Sequence, residues 1–327
     1  MLLTPRSRHW WAVVLAGGDG VRLHALTHLI SGEPRPKQFC NFFGGKTLLA
    51  HTRERIAPIF NKERTLFALT RVHERYHKSE LPDVNHRNRI VQPANRGTAL
   101  AMAVCLQAIA REEADAVVAF FPSDHHYANT PAFQTSIEVG LRAAEEYPHC
   151  LIVLGAKPTY PEVEYGWIQP GRTLVDSSTN PLQRVSKFWE KPTLRQAEAF
   201  VARGCLWNTF VTLGMARAFL DILRATVPQL ARLMDVGGMD GRLDEIYGAV
   251  PACDFSRAVL ARVPRRLLVL QDTMSGWTDL GSPSRVFDLL TRDAVQPAWL
   301  LRQQTAGHDA LVECTETRQQ DGTNAQI

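Results

Sequence analysis

Short runs of consecutive apolar residues alternate with longer, helix-like stretches in the first half of the chain. Continuous apolar runs predict strands that are buried on both faces, as in parallel sheets. The predicted strands lie at residues 10–16, 64–70, 88–92, 116–121 and 150–155. The predicted helices lie at residues 47–60, 98–111 and 131–146, the last with Thr130 as its N-cap. This alternation predicts an α/β fold with a mostly parallel sheet and helices on both faces.

After residue 155 the strand-like and helix-like stretches no longer alternate regularly. The pattern predicts strands at 165–170 and 182–189 around a polar loop, a helix at 193–203, and further elements at 206–213 and 216–225. A strand at 265–271 and a helix at 283–292 follow. The chain then becomes polar and aperiodic, so we expect a main domain over residues 1–300 and a loose tail over 301–327.

Composition narrows the classes of function. The 327 residues fit one large domain, and the net charge of +4 is too small to indicate a nucleic-acid partner. Six cysteines without a CxxC motif predict reduced thiols in a cytoplasmic protein and show no zinc-type cluster. No apolar run approaches the ~20 residues of a membrane span, and the run at 10–16 predicts a strand rather than a signal peptide. The oligomeric state stays open, a homo-oligomer included.

A glycine-rich turn follows the first predicted strand. Gly17, Gly18 and Gly20 allow backbone N–H groups to approach a phosphate, and the start of a helix favours negative charge. The spacing matches neither the Rossmann glycine motif nor a Walker A loop, which would need glycine at Cys40. An ordinary strand–helix turn is the alternative interpretation.

A second candidate segment is Pro34-Arg35-Pro36-Lys37-Gln38-Phe39. Its prolines hold the backbone extended, so they can present Arg35 and Lys37 at a fixed position. By itself the segment is also typical of a basic surface loop.

Seven sequence blocks, in order, resemble the sugar nucleotidylyltransferase family, and its mannose-1-phosphate guanylyltransferase branch in particular. They span about residues 10–290. The blocks are the glycine turn with Arg22, the Lys37 segment, residues 92–99 (QPANRGTA), residues 121–125 (FPSDH), residues 158–166, residues 188–192 (FWEKP) with Trp207-Asn208, and residues 277–281 (WTDLG). The resemblance implies a Rossmann-like mixed sheet of the nucleotide-diphospho-sugar transferase type.

The resemblance also implies a reaction and a set of site residues. A sugar 1-phosphate would attack the α-phosphorus of an NTP, with GTP and mannose 1-phosphate as the favoured substrates. Residues 8–155 would form the nucleotide part and residues 156–292 the sugar-phosphate part. The implied catalytic residues are Arg22, Lys37 and Asp124. The implied nucleotide-binding residues are Leu15, Gly17, Gly18, Gly20, Gln92, Asn95, Gly97 and Thr98. The implied sugar-phosphate-binding residues are Gly166, Glu190, Lys191 and Asn208.

The family's cofactor is Mg²⁺, which the resemblance assigns to Asp124 and Asp279. Carboxylate oxygens and phosphates are the ligands that this ion prefers. Asp124 follows a strand, at the sheet edge where open α/β folds bind ligands. Without a metal, an aspartate there is typical of a turn or a helix cap. We expect His125 and His126 to be supporting loop residues, since no third ligand is spaced for zinc.

The sequence departs from the family pattern at Val21, where a hydroxyl residue is usual, and at Thr209 and Phe210, which replace Ser-Gly. These departures leave the charged residues intact but leave the substrates open. One alternative is the same chemistry with UTP or dTTP and a glucose-type phosphate. Another is a catalytically silent protein that binds nucleotide sugars as a regulatory subunit.

Overall fold

The computed structural model describes residues 9–230 and 243–306. The strands are β1 Trp10–Leu15, β2 Thr65–Thr70, β3 Arg89–Gln92, β4 Val117–Pro122, β5 His126–Tyr127, β6 Leu151–Ala156, β7 Gly166–Val175, β8 Leu182–Glu190, β9 Leu206–Met215, β10 Leu267–Asp272 and β11 Trp277–Thr278. The helices are α1 His24–Ser31, α2 Leu48–Ile56, α3 Glu74–Glu80, α4 Thr98–Glu112, α5 Thr130–Glu146, α6 Leu194–Ala202, α7 Ala216–Thr226, α8 Leu243–Ala249, α9 Phe255–Ala258, α10 Pro283–Arg292 and α11 Ala298–Ala306. Within these ranges, no helix is both long and apolar enough to cross a membrane.

Nine strands form one sheet in the order β3-β2-β1-β4-β9-β6-β10-β8-β7. β1 pairs in parallel with β2 and β4, and β2 pairs in parallel with β3. β6 and β10 also pair in parallel. β9 is antiparallel to β4, β6 and β7, and β8 is antiparallel to β10 and β7. In the described part of the chain, β8 and β9 therefore run against the other seven strands, which confirms the prediction of a mixed, mostly parallel sheet.

Helices cover both faces of this sheet. Successive residues of a strand point to opposite faces, and Phe120 and Phe121 are successive in β4. The ring of Phe120 contacts Phe219 of α7, with ring centroids 5.1 Å apart, whereas Phe121 contacts Phe133 of α5 at 6.1 Å. The predicted three-layer arrangement is thus confirmed.

Two local expectations are corrected. The N-cap of α5 is Asn129 rather than Thr130, because the Asn129 side chain accepts a hydrogen bond of 3.0 Å from Ala132 N. The segment expected to be loose from residue 301 begins inside α11. Trp299 anchors this helix by donating from Nε1 to the Phe42 carbonyl at 2.9 Å. The rest of the expected tail, residues 307–327, lies outside the described residues.

Candidate active site

The glycine turn lies at the carboxyl ends of three parallel strands. The Leu15 carbonyl, at the end of β1, accepts a hydrogen bond of 2.7 Å from Ser123 Oγ, which follows β4. The Gly17 carbonyl accepts one of 2.9 Å from Thr70 Oγ1 at the end of β2. A Cβ at Gly17 would lie 2.7 Å from that hydroxyl, so only glycine allows this approach, whereas a Cβ at Gly18 would face open space. The turn therefore exposes its backbone at the strand ends.

The Lys37 segment packs directly on this turn. Residues Lys37–Phe39 form a short 3₁₀ turn after Pro36. The buried Gln38 amide donates to the Gly18 carbonyl at 2.8 Å and to the Ala16 carbonyl at 3.1 Å. A Cβ at Gly20, where φ is 64°, would lie 2.9 Å from Lys37 N. Gln38, to which the sequence analysis assigned no role, thus fixes the lysine against the turn.

The Lys37 ammonium meets both predicted metal-binding aspartates. Its Nζ lies 3.3 Å from Asp124 Oδ2 and donates to the Asp279 backbone carbonyl at 2.7 Å. Lys37 and Asp279 are each about nine-tenths buried, and a quarter of the Asp124 side chain is exposed. Three distant parts of the sequence therefore meet at the Lys37 ammonium.

A two-stranded sheet brings the two aspartates together. β5 and β11 pair antiparallel, with His126 opposite Thr278 and Tyr127 opposite Trp277. The Trp277 indole also donates to His125 Nδ1 at 3.0 Å. Burial lowers the pKa of His125 to about 4, so this imidazole is neutral and acts as an acceptor. His125 thereby supports the loop that carries Asp124, in the position that the sequence analysis expected.

The Asp279 carboxylate is held by Arg285, which the sequence analysis missed. Asp279 Oδ1 accepts hydrogen bonds from Tyr165 OH at 2.5 Å, Arg285 Nη1 at 2.7 Å and Gly281 N at 2.9 Å. Arg285 also pairs with Glu162. Burial alone would raise the pKa of Asp279, but Lys37 and Arg285 hold it below its usual value. The group is therefore an ionised, oriented carboxylate.

The donor set fits an ion that arrives with a substrate. Within residues 9–230 and 243–306, no three His, Cys, Asp or Glu side chains converge to hold a metal by themselves. The Lys37 ammonium lies 3.3 Å from the Asp124 carboxylate and donates to the backbone carbonyl of Asp279, and the hydrogen bonds to the Asp279 side chain fall on Oδ1. Mg²⁺ is usually bound through one or two carboxylates, with phosphates and waters completing its shell. The pair thus suits that ion.

Arg22 lies apart from the contacts of Lys37. Its side chain is 61% exposed, and its Nη1 lies 3.1 Å from Glu164 Oε2. Lys191 Nζ lies 3.9 Å from the same oxygen. The two predicted phosphate ligands Arg22 and Lys191 therefore face one carboxylate, which belongs to a residue that the sequence analysis did not single out.

The predicted base-binding residues divide into two groups. Asn95 lies at the surface, where Nδ2 donates to Asp19 Oδ2 at 2.9 Å. Gln92 is buried, and its amide donates to the Leu69 carbonyl at 3.0 Å and accepts from Tyr247 OH at 2.9 Å. The backbone N–H of Phe255 donates to Thr98 Oγ1 at 2.9 Å. The structure therefore places Asn95 where a ligand can reach it and engages Gln92 and Thr98 in internal contacts.

Gly97 lies against the backbone of Cys253 and leaves no space for a side chain. Its φ is 83°, and a Cβ there would lie 2.4 Å from the Cys253 carbonyl oxygen. We expect Gly97→Ala to lower the free energy of unfolding by about 2–4 kcal/mol, because it combines a backbone conformation that is essentially restricted to glycine (φ 83°, ψ 169°) with a clash against main chain. Chemical denaturation would measure the change. Gly32→Ala gives the comparison, since φ is 75° and ψ is −2° there, in the left-handed helical region, and the space around its Cβ is open. Equal losses in both variants would contradict the clash.

The predicted sugar-phosphate residues cluster around Glu190. Gly166 is opposite Glu190 in the β7–β8 pair, and a Cβ there would lie 2.7 Å from Glu190 Oε2. Glu190 Oε2 is buried and has no hydrogen-bond partner among the described residues. Burial, followed by the nearby Asp254 charge, raises the pKa of Glu190 to about 7. An unpaired buried carboxyl oxygen of this kind is a candidate acceptor for a ligand hydroxyl.

The substitutions at Thr209 and Phe210 act next to Asn208. Asn208 Oδ1 accepts from Phe210 N at 3.1 Å, and Phe210 adopts a left-handed φ of 67°. Thr209 is fully buried and donates from Oγ1 to the Leu154 carbonyl at 2.8 Å. Thr209 is therefore part of the core, and the backbone at Phe210 sets the orientation of the Asn208 amide.

The chain is similar to known proteins over most of its length. The nucleotidyl transferase family matches residues 11–295. The chain is 31% identical over 298 residues to the xanthan biosynthesis protein XanB of Xanthomonas campestris, covering 86% of this chain and 59% of that protein. It is 30% identical over 292 residues to a mannose-1-phosphate guanylyltransferase of Klebsiella pneumoniae, covering 86% and 60%. The chain thus spans about 60% of the length of these curated relatives.

A solved structure shows the same fold. The crystal structure of a mannose-1-phosphate geranyltransferase from Thermus thermophilus superimposes with a TM-score of 0.73 at 30% sequence identity. The match covers 85% of this chain and 79% of that chain. It therefore extends over both the glycine-turn half and the Glu190 half of the sheet.

Proposed function

The chain belongs to the nucleotidyl transferase family, and from this premise we propose that it joins an NTP to a sugar 1-phosphate and releases pyrophosphate. GTP and mannose 1-phosphate are the substrates we favour, because relatives about 30% identical to this chain are named mannose-1-phosphate guanylyltransferase. The product would then be GDP-mannose. The five cysteines in the described residues are free thiols, which supports the cytoplasm as the place of the reaction.

One observation carries the proposal: the Lys37 ammonium lies between Asp124 and Asp279, beside an exposed glycine turn. The two reactants are anions that repel each other, so a site that joins them must supply positive charge at the reacting phosphate. A lysine fixed at the strand ends supplies it without any rearrangement of the backbone.

The reaction needs positioning rather than a covalent nucleophile. An oxygen of the sugar phosphate attacks the α-phosphorus in line, and the bond from that phosphorus to the bridging oxygen of the β-phosphate breaks. Pyrophosphate leaves with the electron pair. Lys37 and Arg22 neutralise the charge that builds on the phosphoryl oxygens, while the amides of Gly17, Gly18 and Gly20 hold the triphosphate. Bound Mg²⁺, held by Asp124 and Asp279, would supply further positive charge at those oxygens.

The other half of the site binds the sugar phosphate. Glu190 accepts hydrogen bonds from sugar hydroxyls, Lys191 pairs with the phosphate, and the Asn208 amide can both donate and accept. Gly166 leaves the space that the Glu190 carboxylate occupies. On the nucleotide side, Asn95 faces the base, while Gln92, Gly97 and Thr98 support the surrounding backbone.

A pyrophosphate-release assay tests the proposal directly. GTP, ATP, UTP and dTTP would each be combined with mannose 1-phosphate and glucose 1-phosphate, with and without Mg²⁺. We expect Mg²⁺-dependent release that is fastest with GTP and mannose 1-phosphate. Faster release with UTP or dTTP and glucose 1-phosphate would replace the substrate assignment. Nucleotide-sugar binding without turnover over the whole panel would instead indicate a regulatory protein.

Glu190 predicts a pH dependence for sugar-phosphate binding. Its pKa of about 7 means that the carboxylate that accepts from sugar hydroxyls forms as the pH rises from 6 to 8. We expect the KM for the sugar phosphate to fall over this range, and Glu190→Gln to remove that step. Because the sugar phosphate itself titrates nearby, the measured quantity is the difference between the two pH profiles. Identical profiles would contradict the role of Glu190.

The same group affects stability with the opposite sign. The folded state binds the Glu190 proton more tightly than the unfolded state, whose pKa is near the ordinary value of 4.5. The stabilisation is therefore complete below pH 4.5 and is lost as the pH rises towards 7. Denaturation of the wild type and Glu190→Gln at pH 5 and pH 8 would show this loss as a fall in the difference in stability between the two proteins.

A further inference from the structure

Glu164 bridges the two halves of the site. Its Oε2 lies 3.1 Å from Arg22 Nη1, which follows the glycine turn, and 3.9 Å from Lys191 Nζ, which follows β8. Arg22 is the predicted ligand of the triphosphate, and Lys191 is that of the sugar phosphate. A single protein carboxylate thus faces two cations that each have a substrate anion to bind.

The surrounding backbone holds this arrangement in place. The Glu164 N–H donates to Glu162 Oε1 at 2.8 Å, and the Lys191 N–H donates to the Tyr165 carbonyl at 3.2 Å. Lys191 itself has a left-handed φ of 51°, so the backbone turns directly after β8. The loop that carries Glu164 and the turn that presents Lys191 are therefore fastened to each other.

The carboxylate is also accessible to a competing anion. The side chains of Arg22, Lys191 and Glu164 are 61%, 52% and 45% exposed. Exposed ion pairs are weak, since water and salt screen them. A phosphate that carries two charges and several acceptor oxygens would therefore replace a single carboxylate between the two cations.

We propose that Glu164 occupies the place of a substrate phosphate between Arg22 and Lys191 in the ligand-free protein, and that the incoming phosphate displaces it. The inference rests on the proposed function, which supplies the two anions. Glu164 then acts as an internal competitor: it weakens the binding of an anion to Arg22 and Lys191 by the free energy of its own ion pairs.

The test is a calorimetric titration with inorganic pyrophosphate and with inorganic phosphate, in the presence of Mg²⁺. We expect Glu164→Gln to bind each probe about two- to fivefold more tightly than the wild type, the span that an exposed ion pair is worth. Glu138→Gln is the matched control, since Glu138 pairs with Arg142 at 2.9 Å on α5 with 39% of its side chain exposed. Affinities that are unchanged or weaker in Glu164→Gln would overturn the proposal.

The same substitution in an Arg22→Met protein distinguishes competition for Arg22 from an effect of the overall charge of the protein. If Glu164 competes for Arg22, the gain from Glu164→Gln should shrink in an Arg22→Met protein. A gain of the same size in both backgrounds would mean that Glu164 acts only through the overall charge, and would overturn the proposal. The titrations need no turnover, so an inactive protein in the pyrophosphate-release assay would reject the proposed function and still leave Glu164 tested.

Discussion

Lys37→Met is expected to lower kcat/KM for nucleotidyl transfer about a thousandfold. The ammonium is nearly buried and lies within 3.3 Å of Asp124, where the charge of the transition state would develop. Removing one such stabilising group costs about 10²–10³ in rate in other enzymes, and a full charge in a largely dry site lies at the upper end. Steady-state kinetics with GTP and mannose 1-phosphate would measure the loss.

A matched lysine variant makes this result interpretable. Lys46 is half-exposed and pairs with Glu54 at 2.6 Å, so Lys46→Met also removes a paired lysine. We expect that variant to retain wild-type kinetics. Thermal unfolding of both proteins would establish that Lys37→Met stays folded at the assay temperature. A loss of less than tenfold in folded Lys37→Met would show that the lysine is not part of the chemistry.

Asp124→Asn is expected to cost about 10³-fold in kcat/KM and to raise the Mg²⁺ concentration needed for half-maximal activity. The substitution keeps the size of the side chain but removes the carboxylate that lies 3.3 Å from the Lys37 ammonium. A catalytic metal is worth several kcal/mol of transition-state stabilisation, which corresponds to this factor. The measurement is a Mg²⁺ titration of pyrophosphate release at saturating substrates.

The control for Asp124→Asn is a distant aspartate. Asp115 pairs with Arg217 at 3.1 Å, and its side chain is 74% exposed. Asp115→Asn removes the same charge and should leave the Mg²⁺ requirement unchanged. Thermal shifts with GTP and Mg²⁺ provide an independent readout, since the ligand stabilises only a protein that binds it. Equal Mg²⁺ titrations for wild type and Asp124→Asn would remove Asp124 from the metal site.

The strands of the first half could be predicted closely because each is an apolar run bounded by turn residues. β1 and β4 are buried along most of their length, as the continuous run of apolar residues indicated. The reversed direction of β9 could not be predicted, since an apolar run carries no information about direction. α11 was missed because its apolar residues stand together at its start and give little helical periodicity. Trp299 holds it through contacts with the Phe42 carbonyl and the Phe287 ring.

In the candidate site, too, residues within short local blocks could be predicted from the sequence, and residues that act through long-range contacts could not. Lys37 and Asp124 stand in short blocks that resemble the family, and the sequence analysis assigned their roles through that resemblance. Arg285 and Glu164 were missed, because each acts through contacts with residues far away in sequence. Arg285 reaches Glu162, 123 residues earlier, and Glu164 reaches Arg22, 142 residues earlier. Charge pairing at such distances leaves no local pattern in a single sequence.

The pairing of β5 with β11 has a consequence for how the protein is made. Lys37 meets Asp279 across 242 positions of the chain, and β11 supplies the strand that carries this contact. A nascent polypeptide that has not yet been synthesised past residue 279 can form β1 to β4 but cannot close the charged cluster. Fragments that end before residue 279 should therefore have no catalytic activity, even when their apolar strands have folded. Catalytic activity should appear in one step, late in translation.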